Sequence, residues 1–283
     1  MKIFAVVKRV LDDLYQTIEP TAQRDKLIRD ELVKLRDGFK GLARRTTPID
    51  YSKPETRFAY VFNYVSAHSN FVYLAFQELD RQVNIFQGKE SIEITALGGG
   101  PGTDLLGALK YMSINDVGAR LFINIIDREI GWAEQWRHIR KKVDGVDLPN
   151  VDLQYDAVDV DDEVTWRILK QLRNSDIYIS SFFWSEIVRL GDKSEKFFAE
   201  IIRSMKSGSY FIVIDNCHED FDGISELMHL EKLEEFYSFK GELRIKNIDD
   251  TDVDTEIQDY IKRFDFNAKN KQFNLMMNIY RKP

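Results

Sequence analysis

Four glycines within five positions, Gly98-Gly99-Gly100-Pro101-Gly102, follow the β-branched run Ile92-Glu93-Ile94-Thr95-Ala96-Leu97 and precede Thr103-Asp104. A turn so poor in side chains lets the backbone approach a ligand closely and aims the first N–H groups of the next helix at it. There is no Gly-Lys-Ser/Thr after the glycines, which excludes a Walker-type phosphate cradle. Gly98 and Gly100 match two glycines of the dinucleotide fingerprint, but Thr103 stands where the third would be. About thirty residues on, Leu121-Phe122-Ile123-Asn124-Ile125-Ile126 ends in Asp127-Arg128-Glu129. A carboxylate at the C-terminal end of an apolar strand accepts hydrogen bonds from both hydroxyls of a ribose, so Asp127 is the candidate for that contact.

Three further stretches carry groups with chemical potential. The run Ile177-Tyr178-Ile179-Ser180-Ser181-Phe182-Phe183-Trp184-Ser185-Glu186 ends in aromatics that either flank a cation or flat substrate or pack beneath the N-terminal helices. Glu186 reads as a general base or as a solvated helix residue, and His218 after the strand Tyr210–Asp215 as a second candidate base or a bystander. Between Arg57 and Tyr73 the chain is both aromatic and polar. Tyr60 and Tyr64 share a helical face with Arg57 a turn earlier, so this segment is expected to close the site over donor or substrate through Arg57, Tyr60, Tyr64 or His68. Cys217, the single cysteine, excludes an intramolecular disulfide, and no Cys/His cluster has zinc spacing. The acidic run Asp249, Asp250, Asp252, Asp254, Glu256 and Asp259 lacks the central glycine and terminal glutamate of an EF-hand, so no metal is expected.

Positioning these groups requires strands that end at one edge of a sheet, and the patterning supplies them. Apolar runs at about 92–97, 120–126, 152–158, 176–182 and 209–215 alternate with amphipathic segments led by Thr103, Gly131, Asp161 and Ser194. After a helix at about 225–239, strands at 241–248 and 273–281 close the sheet as a hairpin. The spacing therefore predicts an α/β fold: a doubly wound, seven-stranded, mostly parallel sheet with helices on both faces, preceded by an N-terminal helical region. The change of character near Gln87-Gly88-Lys89 divides the chain into residues 1–87, a helical lid or substrate region, and residues 88–283, the sheet domain. In the helical region a pair of helices broken near Pro20 precedes a proline-bearing connector at 46–54 and an aromatic helix from about Glu55 to Phe86.

Composition bounds the function class. The chain has 283 residues, 43% hydrophobic and 31% charged, with no run approaching a membrane span and no signal-peptide pattern. A reducing cytoplasm is the expected location. Forty basic against 47 acidic residues give a net charge of −7, which disfavours broad nucleic-acid binding. Basic residues nevertheless group at Lys34, Arg36, Lys40, Arg44 and Arg45, and at Arg137, Arg140, Lys141 and Lys142, where RNA phosphates could be met.

With Gly98, Gly100 and Gly102 at the three glycine positions of an acidic-x-Gly-x-Gly-x-Gly motif, the sequence resembles the class I S-adenosylmethionine-dependent methyltransferases over about residues 88–283. Ala96 departs from the pattern, standing where that family has Asp or Glu. The resemblance implies a Rossmann-like domain holding S-adenosylmethionine on Gly98, Gly99, Gly100 and Gly102. It implies Asp104 or backbone carbonyls sharing the anchoring of the amino group, Asp127 and Arg128 at the ribose, an Asp of the turn after the third strand with Val160 at the adenine, and Ser180 beside the donor. Asp159 matches that turn position best, with Asp156 and Asp161 open, although Asp161 also suits a helix cap. Phe182, Phe183, Trp184, Arg57, Tyr60 and Tyr64 are then candidates for the acceptor, and Glu186 and His218 for proton transfer. The acceptor, whether small molecule, protein or RNA, is not specified. Two other functions share these features: a non-catalytic methyltransferase-like binding or assembly module, and an NAD-dependent oxidoreductase. Gly100→Arg is expected to abolish donor binding while leaving the fold largely intact.

Overall fold

The computed structural model describes residues 3–39, 49–136, 151–218, 222–243, 255–266 and 273–283. Lys40, Arg44, Arg45, Arg137, Arg140, Lys141 and Lys142, and Asp249 to Asp254 of the acidic run, lie outside the described residues. Lys34 and Arg36 are within them and pair with Glu31 and Asp37 on their own helix.

The first helix, α1 (Ile3–Thr17), buries Ile3, Phe4, Val6, Val7, Val10, Leu11 and Leu14, a stripe at three- and four-residue spacing. It is followed by α2 (Arg24–Phe39). The aromatic segment is helical throughout but not uniform. Helix α3 (Pro54–Tyr60) passes through one π-helical turn at Val61–Val65 into α4 (Ser66–Val83). A π turn adds a residue to the helical circuit and rotates the side chains before it relative to those after it.

Seven strands then form one sheet in the order β3-β2-β1-β4-β5-β7-β6. They are β1 (Ser91–Leu97), β2 (Arg120–Asp127), β3 (Val151–Ala157), β4 (Ile177–Ser181), β5 (Tyr210–Asn216), β6 (Glu234–Leu243) and β7 (Phe273–Arg281). The first five are mutually parallel, and β7 runs antiparallel to both β5 and β6. The sequence-based fold class therefore holds, including the antiparallel closure.

Period-two alternation divides the sheet's buried residues between two cores. Ile92, Ile94, Ile123, Ile125, Ile212 and Ile214 share a core with α1, α2, α4 and α5 (Thr103–Ile114). Leu97, Ile126, Tyr178, Phe211 and Val213 face Phe197, Phe198, Ile201 and Ile202 of α8 (Asp192–Ser204) on the other side. The N-terminal helices thus pack into the same core as one face of the sheet. No helix of the described residues is long and apolar enough to cross a membrane.

Three elements differ from the sequence expectation. The helix expected at 225–239 is α9 (Gly223–Leu230) and ends before Lys232, whose φ of 62° is left-handed; the chain enters β6 at Glu234, earlier than the expected 241–248. The helix expected to be led by Asp161 is a 3₁₀ segment, Glu163–Gln171, capped by Asp162, whose side chain accepts from the Val164 N–H at 3.0 Å. Asp161 instead pairs with Lys193. The helix α8 begins at Asp192 rather than Ser194.

Candidate functional site

The glycine turn is fixed from within. Gly98 N–H donates to Ile126 O at 2.8 Å, Gly99 N–H to the same oxygen at 3.3 Å, and Gly102 N–H to Gly99 O at 2.9 Å. Gly100 N–H donates to Asp127 Oδ2 at 3.0 Å, and Trp136 of α6 (Gly131–Trp136) donates through its indole nitrogen to Gly100 O at 2.8 Å. Gly102 has a φ of 81°, and a Cβ there would fall inside the Trp136 ring, so conformation and space both demand glycine. At Gly100 a Cβ would meet the Trp132 ring and, 2.5 Å away, Asp127 Oδ2. Gly100→Arg would therefore displace the turn's own supports, and the expectation that it spares the fold is revised.

Asp127 ends β2. Its Oδ1 accepts from Glu129 N–H at 2.9 Å while Oδ2 holds Gly100, and desolvation pushes the carboxyl up to about 6. An ionised carboxylate has about four acceptor positions, so this arrangement retains capacity for a further pair of hydroxyl donors. Asp104, in the first turn of α5, is buried; its Oδ1 accepts from Ser181 Oγ at 2.6 Å, and burial raises it to about 7. In the turn after β3, Asp159 Oδ1 accepts from Asp161 N–H at 2.9 Å, and its carbonyl accepts from Trp166 Nε1 at 2.9 Å.

The C-terminal ends of β1, β2, β3 and β4 open on one cavity that encloses about 890 Å³, counting its open mouth. Of the residues singled out in the sequence, Gly98, Asp127, Arg128, Asp159, Val160, Tyr60, Phe182, Phe183 and Glu186 line it. Gly99, Gly100, Gly102 and Asp104 are buried and are not among the lining residues, and Ser180 is fully buried within β4. Tyr64 is buried against Tyr60 and His68, with ring centroids 5.3 and 5.5 Å away, and Trp184 packs edge-on against Phe198. His218 is exposed past the end of β5, away from the cavity lining. Arg57 turns from the cavity and donates to the carbonyls of Tyr51 and Ser52 at 2.7 and 2.8 Å, which fastens that connector to α3.

Two features escaped the sequence reading. Tyr51 and Trp132 line the cavity, Tyr51 from the proline-flanked connector and Trp132 just after Gly131. Their only sequence signal is an aromatic residue beside a turn former. Phe182 has a φ of 55°, a strained conformation for a bulky side chain, held by its N–H to Ile214 O at 2.7 Å. That geometry lays its ring on His68, centroids 3.6 Å apart and planes 12° from parallel. Among the described residues, no group of three or more His, Cys, Asp and Glu side chains could hold a metal ion.

No family model matches the chain, and no curated protein matches it. Solved structures similar to it include an S-adenosylmethionine-dependent methyltransferase from Methanosarcina mazei, 12% identical over 69% of this chain and 93% of that one, TM-score 0.43. A precorrin-6y C5,15-methyltransferase from Geobacter metallireducens is 12% identical over 73% and 89%, TM-score 0.43. An O-methyltransferase family protein from Burkholderia thailandensis is 10% identical over 93% and 74%, TM-score 0.47.

Proposed function

We propose that the chain is an S-adenosylmethionine-dependent methyltransferase, acting by in-line displacement on an acceptor held in the outer part of the cavity. The observation that carries this reading is the meeting of Gly98, Asp127 and Asp159, from three successive strand ends, on one wall of one cavity. The chemistry of that wall suits an adenosyl group. Asp127 offers acceptor capacity for a diol, Val158, Val160 and Pro101 offer an aliphatic bed for a flat heterocycle, and Asp159 borders it. The bound donor would supply a methyl group activated by a sulfonium. This chain's residues would bind and orient it, and Phe182, Phe183 and Tyr60 would keep water from the reacting face.

The same wall argues against a dinucleotide. A pyrophosphate needs free N–H groups in the glycine turn, whereas the N–H groups of Gly98, Gly99, Gly100 and Gly102 already donate within the chain. Calorimetric titration with S-adenosylmethionine and S-adenosylhomocysteine, with NADH as control, tests the reading. Dissociation constants on the order of micromolar for the sulfur compounds, about −8 kcal/mol, and no NADH binding are expected. NADH binding alone, or no binding by a folded chain, would overturn it.

A further inference from the structure

Beyond the glycine wall the cavity lies under a roof from the N-terminal segment, which contributes Tyr51 and Tyr60 to the lining. Between wall and roof stands Trp132 of α6, fully buried and itself part of the lining. Its ring is held from several sides. The ring centroids of Tyr51 and Tyr60 lie 5.7 and 6.3 Å from it, and the Arg57 guanidinium lies 6.0 Å away. Tyr51 is fastened in turn, since its hydroxyl donates at 2.9 Å to Glu186 Oε1 of the short helix α7 (Trp184–Ile187).

These contacts leave the indole nitrogen unsatisfied: Trp132 Nε1 is buried and has no hydrogen-bond partner. An indole can only donate, and buried donors are almost always paired. Ser180 and Trp184 also bury a polar atom without a partner, but neither lines the cavity. Trp132 does, and Asp127 is its neighbour there. A Cβ at Gly100 would lie 2.3 Å from Trp132 Cδ1, the carbon bonded to Nε1, and 2.5 Å from Asp127 Oδ2, so the pyrrole edge of the indole and the carboxylate border one point. One of the two groups donates and the other accepts. A carboxylate ligand has no proton for Asp127, and an ammonium has no lone pair for the indole, whereas a hydroxyl serves both.

We propose that Trp132 is a further binding residue of the methyl-donor site, its Nε1–H donating to the ribose hydroxyl that itself donates to Asp127, so that one hydroxyl is read from both sides. The assignment rests on the reading of the glycine wall as the site of the adenosyl group. Its test titrates S-adenosylhomocysteine and its 2′-deoxy and 3′-deoxy analogues into the full chain, into Trp132→Phe, and into a chain in which benzothienylalanine replaces Trp132. That last replacement puts sulfur in place of the indole N–H and keeps the shape of the ring, so it reads the hydrogen bond even where the smaller phenylalanine unsettles the fold. Loss of the N–H is expected to weaken S-adenosylhomocysteine about three- to tenfold. It should leave unchanged the affinity of at least one deoxy analogue, the one that lacks the hydroxyl in question. Unchanged S-adenosylhomocysteine affinity in the benzothienylalanine chain, or an equal loss for all three ligands, which would mark a role in packing alone, would overturn the assignment and leave the donor reading standing. Failure of S-adenosylhomocysteine to bind the unaltered chain would overturn the donor reading, and this assignment with it.

Discussion

The two sides of the cavity are built on different principles. The glycine wall is local and self-supporting: within about forty residues, β1, its turn, Asp127 and Trp136 satisfy one another through main-chain and side-chain hydrogen bonds. The roof is assembled at long range. Tyr51 reaches Glu186 across 135 positions, and Arg57 ties the Tyr51 connector to α3. A wall of the first kind holds its shape whatever approaches it, while a roof of the second kind depends on a few tethers and is the side on which specificity can change without loss of the fold.

The sharpest way to break this contrast is to damage the self-supporting side. Gly102→Ala forces a Cβ into Trp136 at a left-handed residue and should cost about 3 kcal/mol of stability, read in urea denaturation. A cost near zero would mean that the wall yields as easily as the roof. Next in size is Asp127→Asn, which keeps a side-chain acceptor for Gly100 but removes the charge facing the cavity. S-adenosylhomocysteine should bind about tenfold or more weakly, by calorimetry.

Titration sharpens the contrast further. Asp104, raised to about 7, and Asp127 and Asp215, each raised to about 6, hold their protons in the folded chain at pH values where the unfolded chain, titrating near 4, has lost them. Between roughly pH 4 and 7 the folded state binds more protons, so these groups make the chain less stable as pH rises through that window. The melting temperature should fall between pH 5.5 and 7.5, and Asp104→Asn should reduce the fall by about 2–4 °C. The smallest effect is expected at the roof. Tyr51→Phe removes one hydrogen bond to Glu186 and should lower stability by about 1 kcal/mol with donor affinity unchanged. A large loss of donor affinity would show that roof and wall are coupled.

What the sequence disclosed follows the same division. Six of the seven strands, the glycine turn and the acid that ends β2 could be placed because each depends on a contiguous stretch, whereas Trp136, which supports the turn from α6, could not. Nor could β6, because Leu227, Leu230 and Leu233 carry helical spacing across its approach, and only the left-handed backbone of Lys232 breaks the helix. The roof was less fully legible. Tyr60 could be placed from helical periodicity, but Tyr51 sits in a connector whose partner is set by the tertiary fold, and the π turn at Val61–Val65 leaves no pattern in residue types. The strain at Phe182 is likewise a property of its neighbours, since nothing in Ser-Ser-Phe-Phe requires a positive φ.

The position of β7 between β5 and β6 makes it the keystone of that side of the sheet. Among the described residues β6 has no ladder to the other strands except through β7, so fraying of β7 frees two strands in one cooperative event. It also uncovers the edge of β5, whose residues from Tyr210 to Asp215 are buried on both faces. An apolar parallel strand with a bare edge is a template for another chain, so partial unfolding at β7 is the route by which this protein is expected to aggregate.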